Sequence, residues 1–231
     1  MAFSIDKYHF NSESIIENLP DAELRLLKGA MKEIEAKKNK ILFREGTFPK
    51  GVYILKKGKV KIYKTNKEGK QAVIYIFRKG EIFGYRPLLC NEAHPASGAA
   101  LEDCRISFID KKNFSLLLDQ CPVLVRKLLV NLSHEFSVLV NQVMIFSQQP
   151  VRERVALTLR ILNEKFRGDS KIIFPVTVNL SREDIAHYAG TSVETLVRVL
   201  RQFKDDEIIR TQGRKIIILK PKALEKIAEF Y

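Results

Sequence analysis

The chain has 231 residues, 45% of them hydrophobic, and 40 Lys and Arg against 27 Asp and Glu give it a formal net charge of +13. That length and apolar content suffice for one large domain or two modest ones, and the basic excess points to a polyanionic partner, either nucleic acid or an anionic membrane. No apolar run is long enough for a membrane span, and the opening MAFSIDKYHFNSES lacks the regions of a secretory signal, so a cytoplasmic protein without a membrane partner is expected.

Residues 12–36 read as one or two amphipathic helices around Pro20, with Ile15, Ile16 and Leu19 and then Leu24, Leu26, Leu27, Ala30 and Ile34 at helical spacing. From Ile41 to Ile109 short β-rich runs follow, among them GVYILKKG, KVKIYKT and QAVIYIF, punctuated by Gly46, Gly58, Gly69 and Gly80. Turn signals at such regular spacing indicate an antiparallel roll or barrel. A long helix begins near Pro122, and Val125, Leu129, Leu132, Phe136, Leu139, Val143 and Phe146 recur along it at alternating steps of four and three. That is a heptad seam of the kind that buries one helix against a partner helix. Leu128, Val138 and Val140 widen it, so contacts both with the β module and with a second copy in a homodimer are expected.

SQQP ends this helix, because the residue before Pro150 is biased away from helical geometry, and makes a hinge. A helix over VRERVALTLRILNEKF, closed by Gly168, leads to a short pair of strands in KIIFPVTVNL. In SREDIAHYAGTSVETLVRVL, Ser181 precedes Asp184 by three and Thr191 precedes Glu194 by three, the spacing of capping boxes at two helix starts. Ile185, Ala186 and Ala189 face inward, Gly190 makes the turn, and Leu196, Val199 and Leu200 form the inner face of the second helix. This is a helix-turn-helix, and apolar runs on both sides of Gln212–Arg214 add a hairpin wing before a closing helix.

Such a short rigid pair projects its second helix into a major groove. Arg198 can donate two hydrogen bonds to guanine, Glu194 can accept one from cytosine, and Val193 can meet a thymine methyl. Arg182, Ser192, Arg201, Arg214 and Lys215 are the candidates for phosphate contacts. The rival for the Glu194 and Arg198 pair is a solvated salt bridge within the helix. Basicity is not concentrated in the DNA-reading part, so charge supports this reading less than the motif does.

The three cysteines, Cys90, Cys104 and Cys121, stand far apart, as do the four histidines. Neither set forms a disulfide framework, an iron–sulfur spacing or a metal pair, so no metal and no catalytic residues are expected.

In this order of elements the chain resembles the CRP/FNR family of bacterial transcription regulators along essentially its whole length. LSREDIAHYAGTSVETLVRVLRQFKDDEIIRTQGRKIIIL carries the most specific match, and GVYILKKGKVKIYK with GEIFG resembles the family's effector-binding roll. The resemblance implies that Glu194 and Arg198 read a TGA-type core. The additional Arg of the cyclic AMP receptor falls at Val193, and the Ser of FNR proteins at Val197. In the roll, the Gly-Glu-Leu turn of cyclic-AMP-binding members becomes GYRPLL at Gly84, with Tyr85 in place of the ribose-binding Glu. His94 or Pro95 stands near the phosphate-binding Arg, and Leu139 and Val140 replace the small hydroxyls that meet the base. A buried phosphate without its guanidinium is heavily penalised, so cyclic AMP is not the expected effector. Arg86 could take another anion or form a structural salt bridge. FNR's clustered N-terminal cysteines are absent, and no pattern supports heme at His94, so no cofactor is assigned.

The expected fold is α+β: an effector-sensing β-roll over 1–121, a dimerisation helix and hinge over 122–149, and a winged helix-turn-helix over 150–231. The expected function is sequence-specific binding of a palindromic site in double-stranded DNA by a homodimer, with RNA polymerase a candidate further partner. The alternatives are a regulatory module that docks another protein and, on the β-roll, a cupin-like enzyme.

Overall fold

The computed structural model describes residues 4–10, 14–167 and 175–228. It divides into two compact units: Phe10–Phe136, and a second made of Ser137 onward with the residues up to His9.

The first unit contains α1 (Asp21–Ala30), β1 (Lys32–Ala36), β2 (Ile41–Phe43), β3 (Gly51–Lys57), β4 (Val60–Thr65), β5 (Gln71–Phe77) and β6 (Ile82–Phe83). After these come α2 (Arg86–Leu89), β7 (Ser97–Ala100), β8 (Cys104–Asp110), α3 (Lys111–Gln120) and the first part of α4 (Pro122–Gln148). Two antiparallel four-stranded sheets, ordered β1-β8-β3-β6 and β2-β7-β4-β5, make the expected roll. The four punctuating glycines all have positive φ, between 78° and 94°, a backbone conformation that a side chain would strain.

The apolar run of β3 is unbroken because both its faces are covered. Val52 and Ile54 join Leu27, Ile109, Phe114, Leu124 and Leu128 in a core shared with the helices. Tyr53 points the other way, stacks on Phe83 at 5.2 Å between ring centroids, and belongs to an aromatic cluster with Phe43 and Phe108. At the start of α4 the buried Glu23 carboxylate accepts hydrogen bonds from the amides of Val123 (3.1 Å) and Leu124 (2.9 Å). It thereby satisfies two of the donors that a helix start leaves open, and its charge suits the positive end of the helix dipole.

The helical reading of residues 12–36 is corrected on both sides of α1: before Pro20, residues 15–18 form turns and not a helix. The helix read through residue 36 stops at Ala30, Met31 is extended, and Lys32–Ala36 is a strand paired with β8 from Lys32↔Phe108 to Ala36↔Cys104. Ile34 therefore belongs to a period of two, Glu33-Ile34-Glu35-Ala36, and not to the helical stripe. The free edge of β8 supplies the ladder partners that decide it.

The second unit holds the rest of α4, then α5 (Val151–Arg167), β9 (Val176–Val178), α6 (Arg182–Ala189), α7 (Val193–Asp205), β10 (Ile209–Gln212), β11 (Lys215–Ile218) and α8 (Pro221–Ala228). Its three-stranded sheet has the order β10-β11-β9. Of the strand pair expected in KIIFPVTVNL, β9 is one member; residues 171–174 and Gly168 lie outside the described residues. Among the described residues no helix is long and apolar enough to cross a membrane.

Candidate nucleic-acid interface

The interface starts from two capped helices. Ser181 precedes α6, where its Oγ accepts from the Asp184 amide (3.0 Å) and donates to the Asp184 carboxylate (2.7 Å). Gly190 ends α6 in the left-handed conformation (φ 62°, ψ 45°), and the Thr191 amide returns to the Ala186 carbonyl at 3.0 Å. The cap of α7 is Ser192, whose Oγ accepts from the Thr195 amide at 3.2 Å. This moves the expected Thr191 and Glu194 capping box by one residue, because Thr191 is already committed to closing the turn. Ile185, Ala186 and Ala189 of α6 and Leu196, Val199, Leu200 and Phe203 of α7 are buried, so the outward face of α7 is fixed.

That face carries Val193, Glu194, Val197, Arg198 and Arg201, all exposed. Among the described residues, neither Glu194 nor Arg198 makes a hydrogen bond or ion pair with a protein group, so the rival salt bridge is not formed. Ser192 is exposed, with its hydroxyl in the cap and 3.0 Å from Thr195 Oγ1. The wing is the β10–β11 hairpin, paired from Ile209↔Ile218 to Gln212↔Lys215. Its turn exposes Arg214 and Lys215. Arg182, half-buried at the start of α6, donates to the carbonyls of Arg214 (2.9 Å) and Gly213 (3.4 Å), and burial lowers its pKa below the ordinary guanidinium value.

Sequence reasoning missed what fastens this motif to the end of α4. Arg154 on α5 donates to three carbonyls, Gln149 (3.2 Å), Ala189 (3.2 Å) and Gly190 (2.9 Å). A side chain on Gly190 would place its Cβ 2.9 Å from the Phe146 ring. The available signal was Arg154 standing three after Val151 and directly before the buried Val155, near the inward stripe of an otherwise apolar segment.

Along α4, Leu124, Leu128, Asn131, Glu135, Val138 and Ile145 are the buried positions. The heptad seam read from the sequence faces outward instead: Leu129, Phe136 and Val143 are 56%, 68% and 69% exposed, Phe146 is exposed too, and Leu132 and Leu139 are half-buried. Val140 lies on the exposed side and Leu128 and Val138 on the buried one.

In the roll, Gly84 (φ 79°) lies against the Tyr53 ring, and Tyr85 is buried. Among the described residues, neither its hydroxyl nor that of Tyr75 has a hydrogen-bond partner of good geometry. Burial, the larger cause, and the nearby Glu135 charge push both phenols far above their ordinary pKa. Arg86 Nε lies 3.4 Å from the buried Glu135 carboxylate, and its guanidinium sits over the Tyr75 ring. Glu135 is a residue the sequence reading passed over. His94 is buried, stacked on Phe43 at 4.0 Å between centroids, and burial lowers its pKa. Of the six candidate effector residues these four are in the first unit, whereas Leu139 and Val140 are in the second. Cys104 and Cys121 are buried and Cys90 exposed. Among the described residues no three His, Cys, Asp or Glu side chains gather as a metal site would need.

Residues 33–121 match the family of the cyclic nucleotide-binding domain, and residues 153–227 the Crp-like helix-turn-helix domain. The transcriptional activator protein Anr of Pseudomonas protegens is 29% identical over 83% of this chain and 78% of its own length. The fumarate and nitrate reduction regulatory protein of Vibrio cholerae is 28% identical over 83% and 76%. Among solved structures, FixK2 of Bradyrhizobium japonicum superposes with a TM-score of 0.78 at 20% identity, over 87% of this chain and 98% of its own. The c-di-GMP-responsive regulator CLP of Xanthomonas campestris gives 0.74 at 18% identity, over 86% and 99%.

Proposed function

Because this chain belongs to the CRP/FNR family of transcription regulators, which are DNA-binding proteins and not enzymes, we propose that it reads a palindromic DNA site as a homodimer under control of an effector. The observation that carries this is the outward face of α7. Glu194 and Arg198 stand one helical turn apart on a rigid, capped helix, exposed and, among the described residues, without a protein partner. Arg198 donates to O6 and N7 of a guanine, Glu194 accepts from N4 of a cytosine, and Val193 touches a thymine methyl. Ser192, Arg201, Arg214 and Lys215 meet phosphates and set the register.

The stripe of Leu129, Phe136 and Val143 supports the homodimer, since a seven-residue repeat of large apolar side chains more than half exposed is stable in water when a second helix covers it. Two-fold symmetry then places the recognition helices about 34 Å apart, one turn of DNA. The protein acts in the cytoplasm, with RNA polymerase as a further partner.

The effector enters the roll around Tyr85, Arg86 and His94, and it is not cyclic AMP, because a tyrosine replaces the ribose-binding carboxylate and no guanidinium serves the phosphate. The effector controls DNA binding only if it favours one arrangement of the dimer over the other.

Selection of bound sequences from a random duplex pool tests the proposal. An inverted repeat with a G·C-containing core in each half is expected; recovery of unrelated, non-palindromic sequences would refute it.

A further inference from the structure

The tip of the wing has few anchors of its own. β11 is paired with β9 through Ile216↔Val178, Ile217↔Thr177 and Ile218↔Val176, a register that stops short of Lys215. Beyond it, the hairpin closes on itself at Gln212↔Lys215, around a Gly213 with φ of 55°. A two-stranded tip of this kind is free to sway in water, and Arg214 and Lys215 are mounted on it. Among the described residues, the side chain that hydrogen-bonds across to it is that of Arg182, the first residue of α6. Its Nη1 meets the Arg214 carbonyl at 2.9 Å and its Nη2 the Gly213 carbonyl at 3.4 Å. Two hydrogen bonds from one planar fork to adjacent carbonyls fix orientation as well as distance.

We propose that Arg182 is a positioning residue for DNA binding, which acts through the wing by holding Arg214 and Lys215 where the phosphates lie. The proposal rests on the DNA-binding reading above and revises the role that the sequence assigned to Arg182, an independent phosphate contact. Two of its donors are spent on the wing. The guanidinium thus orders the tip before DNA arrives, and the cost of immobilising two long basic side chains on a swaying hairpin is met in folding instead of in binding.

The two roles differ in their salt dependence. Each phosphate neutralised contributes about 0.9 to the slope of log K against log salt. Anisotropy titrations of a labelled duplex carrying the selected operator, between 50 and 200 mM KCl, compare wild type, Arg182→Ala, Arg214→Ala/Lys215→Ala and the triple variant. The expected result is that Arg182→Ala alone lowers the slope by about 1.8, two contacts' worth, matching the double variant. The triple variant then binds no more weakly than the double. Arg182→Gln, which keeps a donor for one carbonyl, falls between wild type and Arg182→Ala. Melting curves show that the proteins compared are folded. A slope loss of about 0.9 that multiplies with the effect of the double variant overturns the proposal, as does an Arg182→Ala protein with wild-type affinity and slope. Wild-type protein that binds no duplex selectively removes both this proposal and its premise, and does so before any substitution is made.

Discussion

Two Arg and Glu pairs in this molecule have opposite surroundings. Arg86 and Glu135 face each other at 3.4 Å, with the carboxylate buried and near enough to Tyr75 and Tyr85 to help raise their phenol pKa values. Glu194 and Arg198 sit one turn apart on α7, exposed, and do not pair. Charges taken out of water must find partners inside the protein, and once paired they are spent on structure. Charges held on a rigid surface without a partner keep their hydrogen-bonding capacity for a ligand. The side-chain chemistry is the same in both regions, so the surroundings decide which pair is spent on structure and which one stays open to a ligand.

The largest effect expected from this contrast comes from the buried pair. Arg86→Met removes the positive charge that faces the buried Glu135 carboxylate and should lower the unfolding free energy by about 3 kcal/mol. Urea denaturation measures it, and a loss below about 1 kcal/mol would erase the distinction between the two pairs. Arg198→Ala should do the reverse. Binding to the selected operator weakens by about 2 kcal/mol and one G·C position relaxes, while unfolding changes by less than about 0.5 kcal/mol. A uniform loss on every sequence would make Arg198 a phosphate contact instead.

Gly190→Ala probes the support beneath the exposed pair. The left-handed backbone and the Phe146 ring both oppose a methyl group there, so a loss of about 1–2 kcal/mol in stability is expected from thermal unfolding. No loss would show that the turn re-forms without the glycine.

The smallest effect is expected at His94, which burial keeps below its ordinary pKa. Below about pH 6.5 the unfolded chain takes up a proton that the folded one declines, so stability is full above that pH and falls as the pH drops toward the folded pKa. Between pH 7.5 and 5.5 the urea midpoint of His94→Gln should therefore fall less than that of wild type. Equal falls would place the acid sensitivity in other groups.

Much of the DNA-reading motif was legible because its signals are local. Ser181 and Asp184, Gly190, and the inward apolar positions of α6 and α7 each act within a few residues of chain. The apolar stripe of α4 was legible for a related reason, since its seven-residue period marks one face of the helix. Of the interleaved buried stripe, Leu128 and Val138 were visible as apolar residues, while Asn131 and Glu135 were passed over because an apolar count does not register them. Ile34 was misplaced because its spacing fits a helix and a strand equally until β8 lies alongside.

The sequence by itself determined the order of roll, long helix and winged motif, and which side chains α7 turns outward, because periodicity and capping act over distances that the local chain controls. Tertiary structure alone decided that Arg86 takes Glu135, that Arg154 holds the end of α4 to that of α6, and that Arg182 grips the wing. Two of those arginines bind backbone carbonyls, which every residue carries and none advertises; the acceptors are defined only when folding brings distant segments together.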